Sequence, residues 1–409
     1  MPIKELFDLV SILAPVIHAG YPYVRDGVQR FCYTNRQDRI LEFLGNLGAT
    51  TDQQIRRLVD DWDRQQNSPL DERTREQLCA TLINLSHGAK FLTTQGTLRS
   101  SLVRSEKMID LLLSHIETQF KKGDQIAPGH DWYVERFLGM GSFGEVWMGI
   151  NQGYPESRAF KFFTQEDGKD WLLREQSNLW KIKQKLNDHP NVIQYLDVVT
   201  NCTYPFLALE YAGGGSLEDW ILEDSENRVD LLVSDAVRGL IDGIAEAHRW
   251  DICHRDLKPA NIILTKAQSH PQIKITDFGL AKDFNERQQS NAGETISIGT
   301  PLYLPPEAST PGREVDGFRA DVFAIGVIWY QLLTNSLERP PYDFASRLRD
   351  HAADSHTIRV LTRCLASPEH RYANAMQLRE DLSEIIPFRV DIPDGVIDVQ
   401  HVFREYLSE

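Results

Sequence analysis

Asp256, Asn261 and Asp277 are two carboxylates and a carboxamide, and the last two residues offer hard oxygen ligands of the kind that suit magnesium. Asp277 follows the apolar run Ile273-Lys274-Ile275-Thr276, which reads as a strand ending at that carboxylate. Far upstream, Gly139, Gly141 and Gly144 lie between two strand-like stretches. A hairpin without side chains there can lie close over phosphates and offer its N–H groups. Lys161 sits on the next strand, and Lys258 lies just beyond Asp256. Singly, these residues are ordinary: a loop carboxylate is usually solvated or forms a turn, and a lysine usually lies on the surface. Together they suit binding of a polyanion with a hard cation, and chemistry on a charged group.

The order of the motifs narrows this. Gly139-Met140-Gly141-Ser142-Phe143-Gly144-Glu145-Val146, Ala159-Phe160-Lys161, His254-Arg255-Asp256-Leu257-Lys258-Pro259-Ala260-Asn261 and Asp277-Phe278-Gly279 resemble the motif set of the protein-kinase family over roughly residues 130–385. The resemblance implies ATP and magnesium (or manganese) as cofactors. Asp256 would be the catalytic base, Lys258 would neutralise the transferring phosphoryl group, and Asn261 and Asp277 would hold the metal. Lys161 would hold the α- and β-phosphates, fixed by an ion pair with Glu175 from a following helix. Gly139, Gly141, Ser142, Phe143 and Gly144 would cover the phosphates. Val146, Ala159, Leu209 and Ile263 would border the adenine, and backbone groups of Glu210 and Ala212 would read its edge. His254 would pack near Phe278 and take no part in catalysis.

Lys258 implies serine/threonine specificity, because tyrosine kinases replace it, and Gly299-Thr300-Pro301 points the same way. Glu307 should pair with Arg371, and Asp321 should anchor the catalytic loop. Arg255 would receive a phosphate in the activation segment, where Thr295 and Ser297 are the candidate autophosphorylation sites. A homodimer that phosphorylates itself in trans is the matching partner reading, beside protein substrates. Two alternatives remain, a pseudokinase scaffold acting through protein–protein contacts and a small-molecule phosphotransferase. Intact Lys161, Asp256, Asn261 and Asp277 weigh against the first. Thr300, Glu307 and Arg371 weigh against the second.

Composition limits the partners. The 409 residues are 41% hydrophobic and 25% charged, with a formal charge of -15. An acidic chain repels phosphate backbones, so nucleic acid is not expected as a partner. The five scattered cysteines form no C-x-x-C pair, which suits a reducing compartment and a cytoplasmic location. No apolar run approaches the ~20 residues of a membrane span. The stretch from Leu9 to Ile17 reads as an amphipathic helix rather than a signal peptide.

The positioning elements form an α+β plan: a two-lobed kinase-like fold with a β-rich N-lobe and a helical C-lobe, after an all-α N-terminal domain. Residues 1–125 read as a helical regulatory or interaction domain with its own partner, 130–385 as the kinase domain and 386–409 as a C-terminal extension. Thr51-Asp52-Gln53-Gln54 is a capping box opening a helix with Ile55, Leu58, Val59 and Trp62 on one face. Ser68-Pro69 would open a second helix, and Ser105 to Phe120 a third. Lys121 to His130 reads as a linker, and His189-Pro190-Asn191-Val192-Ile193 as the start of a strand.

Overall fold

The computed structural model describes residues 3–15, 17, 24, 27–28, 31, 43–44, 46–47, 50–66, 68–94, 118–141, 144–164, 166–223, 233–266, 271–278, 301–309, 315–351 and 353–383. Most of the third expected N-terminal helix and all of the C-terminal extension lie outside these.

Three N-terminal helices are described: α1 (Ile3–Leu13), α2 (Asp52–Arg64) and α3 (Glu72–Thr94). The expected capping box forms, with the Gln54 N–H donating to Thr51 Oγ1 at 3.2 Å and the Thr51 N–H to Gln54 Oε1 at 3.0 Å. Ile55, Leu58, Val59 and Trp62 are buried on one face as their spacing requires. Helix α3 begins later than Ser68-Pro69 suggests. Asp71 caps it instead, accepting from the Thr74 N–H (3.0 Å), while Leu70 N–H is drawn to Asp63 (2.8 Å).

The N-lobe is a five-stranded antiparallel sheet in the order β1-β2-β3-β5-β4. Its strands are β1 (Trp132–Gly141), β2 (Gly144–Asn151), β3 (Ser157–Phe162), β4 (Tyr195–Val199) and β5 (Phe206–Glu210), with α4 (Glu166–Leu186) between β3 and β4. The C-lobe follows. A small sheet of β6 (Gly213–Ser216), β7 (Ile262–Thr265) and β8 (Ile273–Ile275) lies with α5 (Leu217–Leu222) and α6 (Val233–Arg249). Then come α7 (Gly317–Thr334), α8 (Phe344–Asp350), α9 (Ser355–Cys364) and α10 (Ala375–Ser383). This is the expected α+β, two-lobed plan with helices before it.

Period-2 alternation gives the large sheet two apolar faces. Ala159, Leu207 and Leu209 join the core that runs through α4 into the C-lobe. Phe160, Phe162, Phe206 and Ala208 face the other way and share one core with Leu9, Leu13, Val59, Leu82 and Ile83 of the N-terminal helices. Phe137, Trp147, Phe160, Phe162 and Phe206 are each no more than 2% exposed. At ~1.5–3 kcal/mol per buried side chain, this shared layer matters to the stability of both parts.

Two sequence expectations are corrected here. Lys121 to His130 is no free linker. It folds back on β1 through Gly123 N–H to Val134 O (2.8 Å) and Ile126 N–H to Trp132 O (3.0 Å), burying Ile126 and Ala127. The stretch from His189 to Ile193 does not open β4. It pairs with β8 instead, through Ile193 N–H to Ile275 O (2.9 Å) and Ile275 N–H to Asn191 O (2.8 Å). The C-lobe strand therefore takes its hydrogen bonds before the chain reaches β4.

Candidate active site

Asp321 on α7 is 1% exposed and builds the floor of the site. Its carboxylate accepts from the N–H groups of His254 (2.6 Å) and Arg255 (2.8 Å) and lies 3.1 Å from His248 Nε2. Arg255, so anchored, adopts a left-handed backbone with φ 66°, which costs a non-glycine residue ~1–2 kcal/mol. That turn presents Asp256. Its Oδ2 accepts from Lys258 Nζ at 2.8 Å and Asn261 Nδ2 at 3.1 Å. Asn261 Nδ2 also reaches the Asp256 carbonyl at 2.8 Å, so the amide oxygen is the atom left for a cation.

Asp277 leaves β8 in the left-handed region as well, with φ 65°. The adjacent Phe278 is fully buried, its ring 4.8 Å from that of His254. His254 Nδ1 accepts from the Asp256 N–H (3.3 Å) and Nε2 donates to the Thr276 carbonyl (2.8 Å), so both ring nitrogens are engaged in structure. The histidine packs as its sequence context suggests.

Lys161, 4% exposed, places Nζ 2.8 Å from Asp277 Oδ2. The expected Lys161–Glu175 ion pair is not the one made. Glu175 is half-buried on α4 and accepts from Asn178 Nδ2 at 2.6 Å. Asp277 already neutralises the buried ammonium, and a neighbour on the same helix satisfies Glu175. Sequence spacing identifies both carboxylates but not which one the lysine takes.

The register sets Val146 opposite Lys161 and Ala159 opposite Leu209, so these four share the inner face of the sheet. Ile263 is half-buried between buried Ile262 and Leu264. Glu210 N–H donates to Gln194 O (3.0 Å), and Ala212 O accepts from Lys266 N–H (2.8 Å). The Glu210 N–H and the Ala212 carbonyl are thus engaged within the protein. Gly144 has φ 149°, and a Cβ there would lie 2.3 Å from the Phe162 carbonyl oxygen, so glycine is required. Ser142, Phe143, Gly279, Thr295, Ser297 and Thr300 lie outside the described residues. Glu307 and Arg371 form the expected buried pair, with Oε1 to Nη1 at 2.7 Å and Oε2 to Nη2 at 3.3 Å.

Several residues escaped sequence reasoning. Tyr195 is fully buried, and burial first, then the Asp277 charge, pushes its hydroxyl pKa up. Glu145 is buried beside Gly144 and accepts from Trp147 Nε1 (2.8 Å) and the Gln119 N–H, with burial raising its pKa. Arg56 of α2 and Glu76 of α3 form an ion pair (2.7 Å) and grip one residue of β1. Arg56 donates to Phe137 O (2.6 Å), and Phe137 N–H donates to Glu76 (2.8 Å). On the C-lobe side, Arg57 pairs with Glu223 just after α5 (3.2 Å), and Thr51 Oγ1 lies 3.4 Å from the same carboxylate. Helix α2 therefore touches both lobes. No local motif marks these partners, which lie far apart in sequence.

Residues 132–387 match the family described as protein kinase domain. Among curated proteins, the chain is 33% identical over 263 residues to serine/threonine-protein kinase Pkn1 of Myxococcus xanthus, covering 60% of this chain and 37% of that protein. It is 32% identical over 276 residues to probable serine/threonine-protein kinase fhkD of Dictyostelium discoideum, covering 64% and 34%. The chain thus spans little more than a third of the length of either relative. Among solved structures, the Mycobacterium tuberculosis PknI kinase domain aligns with a TM-score of 0.45 at 23% identity, covering 64% of this chain and 98% of that one.

Proposed function

We propose that this chain, which belongs to the protein kinase domain family, is an ATP-dependent serine/threonine protein kinase. The observation that carries the reading is the convergence of Lys258 and Asn261 on Asp256 Oδ2, at 2.8 and 3.1 Å, with Asp277 presented from β8. The donor set suits magnesium, since the Asn261 amide oxygen and the Asp277 carboxylate are hard ligands. Bound ATP would supply the γ-phosphoryl group, with ADP as the leaving group, and magnesium held by Asn261 and Asp277 would shield its charge. Asp256 orients a serine or threonine hydroxyl and accepts its proton. Lys258 would neutralise the transferring phosphoryl group, and Lys161 would exchange Asp277 for the α- and β-phosphates. The inner sheet face at Val146, Ala159 and Leu209, with Ile263 beneath, packs on the adenine.

Phosphate transfer from ATP to a generic protein substrate tests this. Phosphoserine or phosphothreonine should form and be lost in Asp277→Ala. Transfer unaffected by that substitution would overturn the reading.

Activation fits the same frame. Release of Lys161 from Asp277 and its capture by Glu175 would ready the site. Arg255 is exposed on an anchored turn and suits a phosphate on Thr295 or Ser297, added by a second copy of the chain. Mass spectrometry of active protein should find one of the two phosphorylated. The N-terminal helices act as a regulatory clamp, which their simultaneous contacts with β1 and Glu223 support. Cys79, Cys202, Cys253 and Cys364 form no disulfide among the described residues. Among the described residues no helix is long and apolar enough to cross a membrane.

A further inference from the structure

Between α2, α3 and β1 lies a cavity of about 430 Å³, away from the residues proposed to handle ATP. Its wall includes Arg56, Arg57, Arg75, Lys122 and Arg136, against three carboxylates. Two of those carboxylates are already engaged. Glu76 holds Arg56, and Glu72 holds Lys122 at 3.0 Å. A net positive wall is unexpected in a chain of formal charge -15. Cys79 adds no negative charge, because burial pushes its thiol up to about 12.

Arg136 is the wall residue whose charge is least satisfied among the described residues. Its Nε is buried with no hydrogen-bond partner, and its guanidinium makes no ion pair among the described residues. Leaving such a donor unsatisfied costs ~1–3 kcal/mol, and more when the group is charged. The other arginines in the wall are engaged: Arg56 with Glu76, Arg57 with Glu223, and Arg75 with Asp63 at 3.1 Å. A planar guanidinium fork matches two oxygens of a phosphate. The volume falls within the ~300–1,000 Å³ of small-molecule sites.

We propose that this cavity binds a small phosphate-bearing anion, with Arg136 as its principal anchor and Arg57 and Lys122 beside it. Arg136 immediately precedes Phe137, whose backbone Arg56 and Glu76 grip, and Gly139 follows two residues later. An occupant would therefore steady the strand that leads into the glycine-rich turn, so the site is placed to serve as an effector site. Binding itself does not depend on the kinase reading.

The test is calorimetric titration of the full chain with inorganic pyrophosphate and, separately, adenosine monophosphate, without magnesium. Binding of pyrophosphate alone points to a free phosphate compound, and tighter binding of the nucleotide to a nucleotide effector. For whichever binds, Arg136→Gln should weaken affinity at least ~10-fold, Arg136→Lys should weaken it less, and Lys161→Met should leave it unchanged. Arg136→Lys keeps the charge and covers the case in which Arg136→Gln fails to fold. Absence of binding by both probes, affinity unchanged in both Arg136 variants, or loss through Lys161→Met would each overturn the proposal.

Discussion

Lys161 Nζ lies 2.8 Å from Asp277 Oδ2, while Glu175, the carboxylate expected to hold that lysine, is bonded to Asn178 on its own helix. The pair ties the lysine proposed to hold the nucleotide to the carboxylate proposed to hold the metal. On the proposed function the two part when ATP and magnesium enter. If Glu175 then takes the lysine, Glu175→Ala should lower kcat by ~10²-fold through loss of positioning, with little effect on melting temperature. Steady-state kinetics with a calorimetric scan check this. An unchanged kcat would mean that α4 never delivers Glu175.

Arg371 and Glu307 form a buried pair whose members are 3% and 9% exposed. Removing one partner strands a buried charge, so Arg371→Ala or Glu307→Ala should each cost ~3–5 kcal/mol. Denaturant unfolding measures it. The double variant should cost less than the sum, because the two changes act on one interaction.

The N-terminal helices cover five aromatic side chains on the outer face of the sheet. A chain beginning at Gly129 should therefore aggregate rather than emerge as an activated kinase. Size-exclusion chromatography and circular dichroism of the shortened protein decide this. A folded, monomeric, fully active product would show that the shared core is dispensable.

Glu223→Ala tests the proposed clamp with less disruption. It removes the contacts to Arg57 and Thr51, and Arg57 is half-exposed, so stability should fall by less than ~1 kcal/mol. With the lobes less restrained, KM for ATP should shift by up to ~5-fold while kcat holds. Kinetics in which neither parameter moves would separate α2 from catalysis.

Asp219 lies in the first turn of α5 and completes the capping box of Ser216, its carboxylate accepting from the Ser216 hydroxyl at 2.8 Å and N–H at 3.2 Å. Burial first, and then the Asp52 charge from α2, push its carboxyl up to about 6. Its folded pKa lies above its unfolded value. Its stabilising contribution is therefore full below the ordinary carboxyl range and is lost as pH rises through about 6. Asp52→Asn should lower the pKa of Asp219, read by NMR titration of its carboxyl carbon. A pKa that does not move would leave burial as the whole cause.

Much of the candidate site was legible because the chemistry proposed for it needs fixed residue types close together in sequence. Asp256, Lys258 and Asn261 occupy one short loop, and the strand before Asp277 reads from its alternating apolar residues. The α+β plan was legible for the same local reason, since strand and helix periodicities differ. Other features were set by contacts between distant segments. Which carboxylate Lys161 takes depends on where α4 sits against β8. The grip of Arg56 and Glu76 on Phe137 joins residues 81 and 61 positions apart. The expected linker became part of the core because the outer sheet face offered it an apolar surface to cover. Local residue pattern thus determined the chemistry this chain can carry. Only the packing of its helices against the sheet decided which ion pairs form, what bridges the two lobes, and where an arginine that makes no ion pair among the described residues lines a cavity.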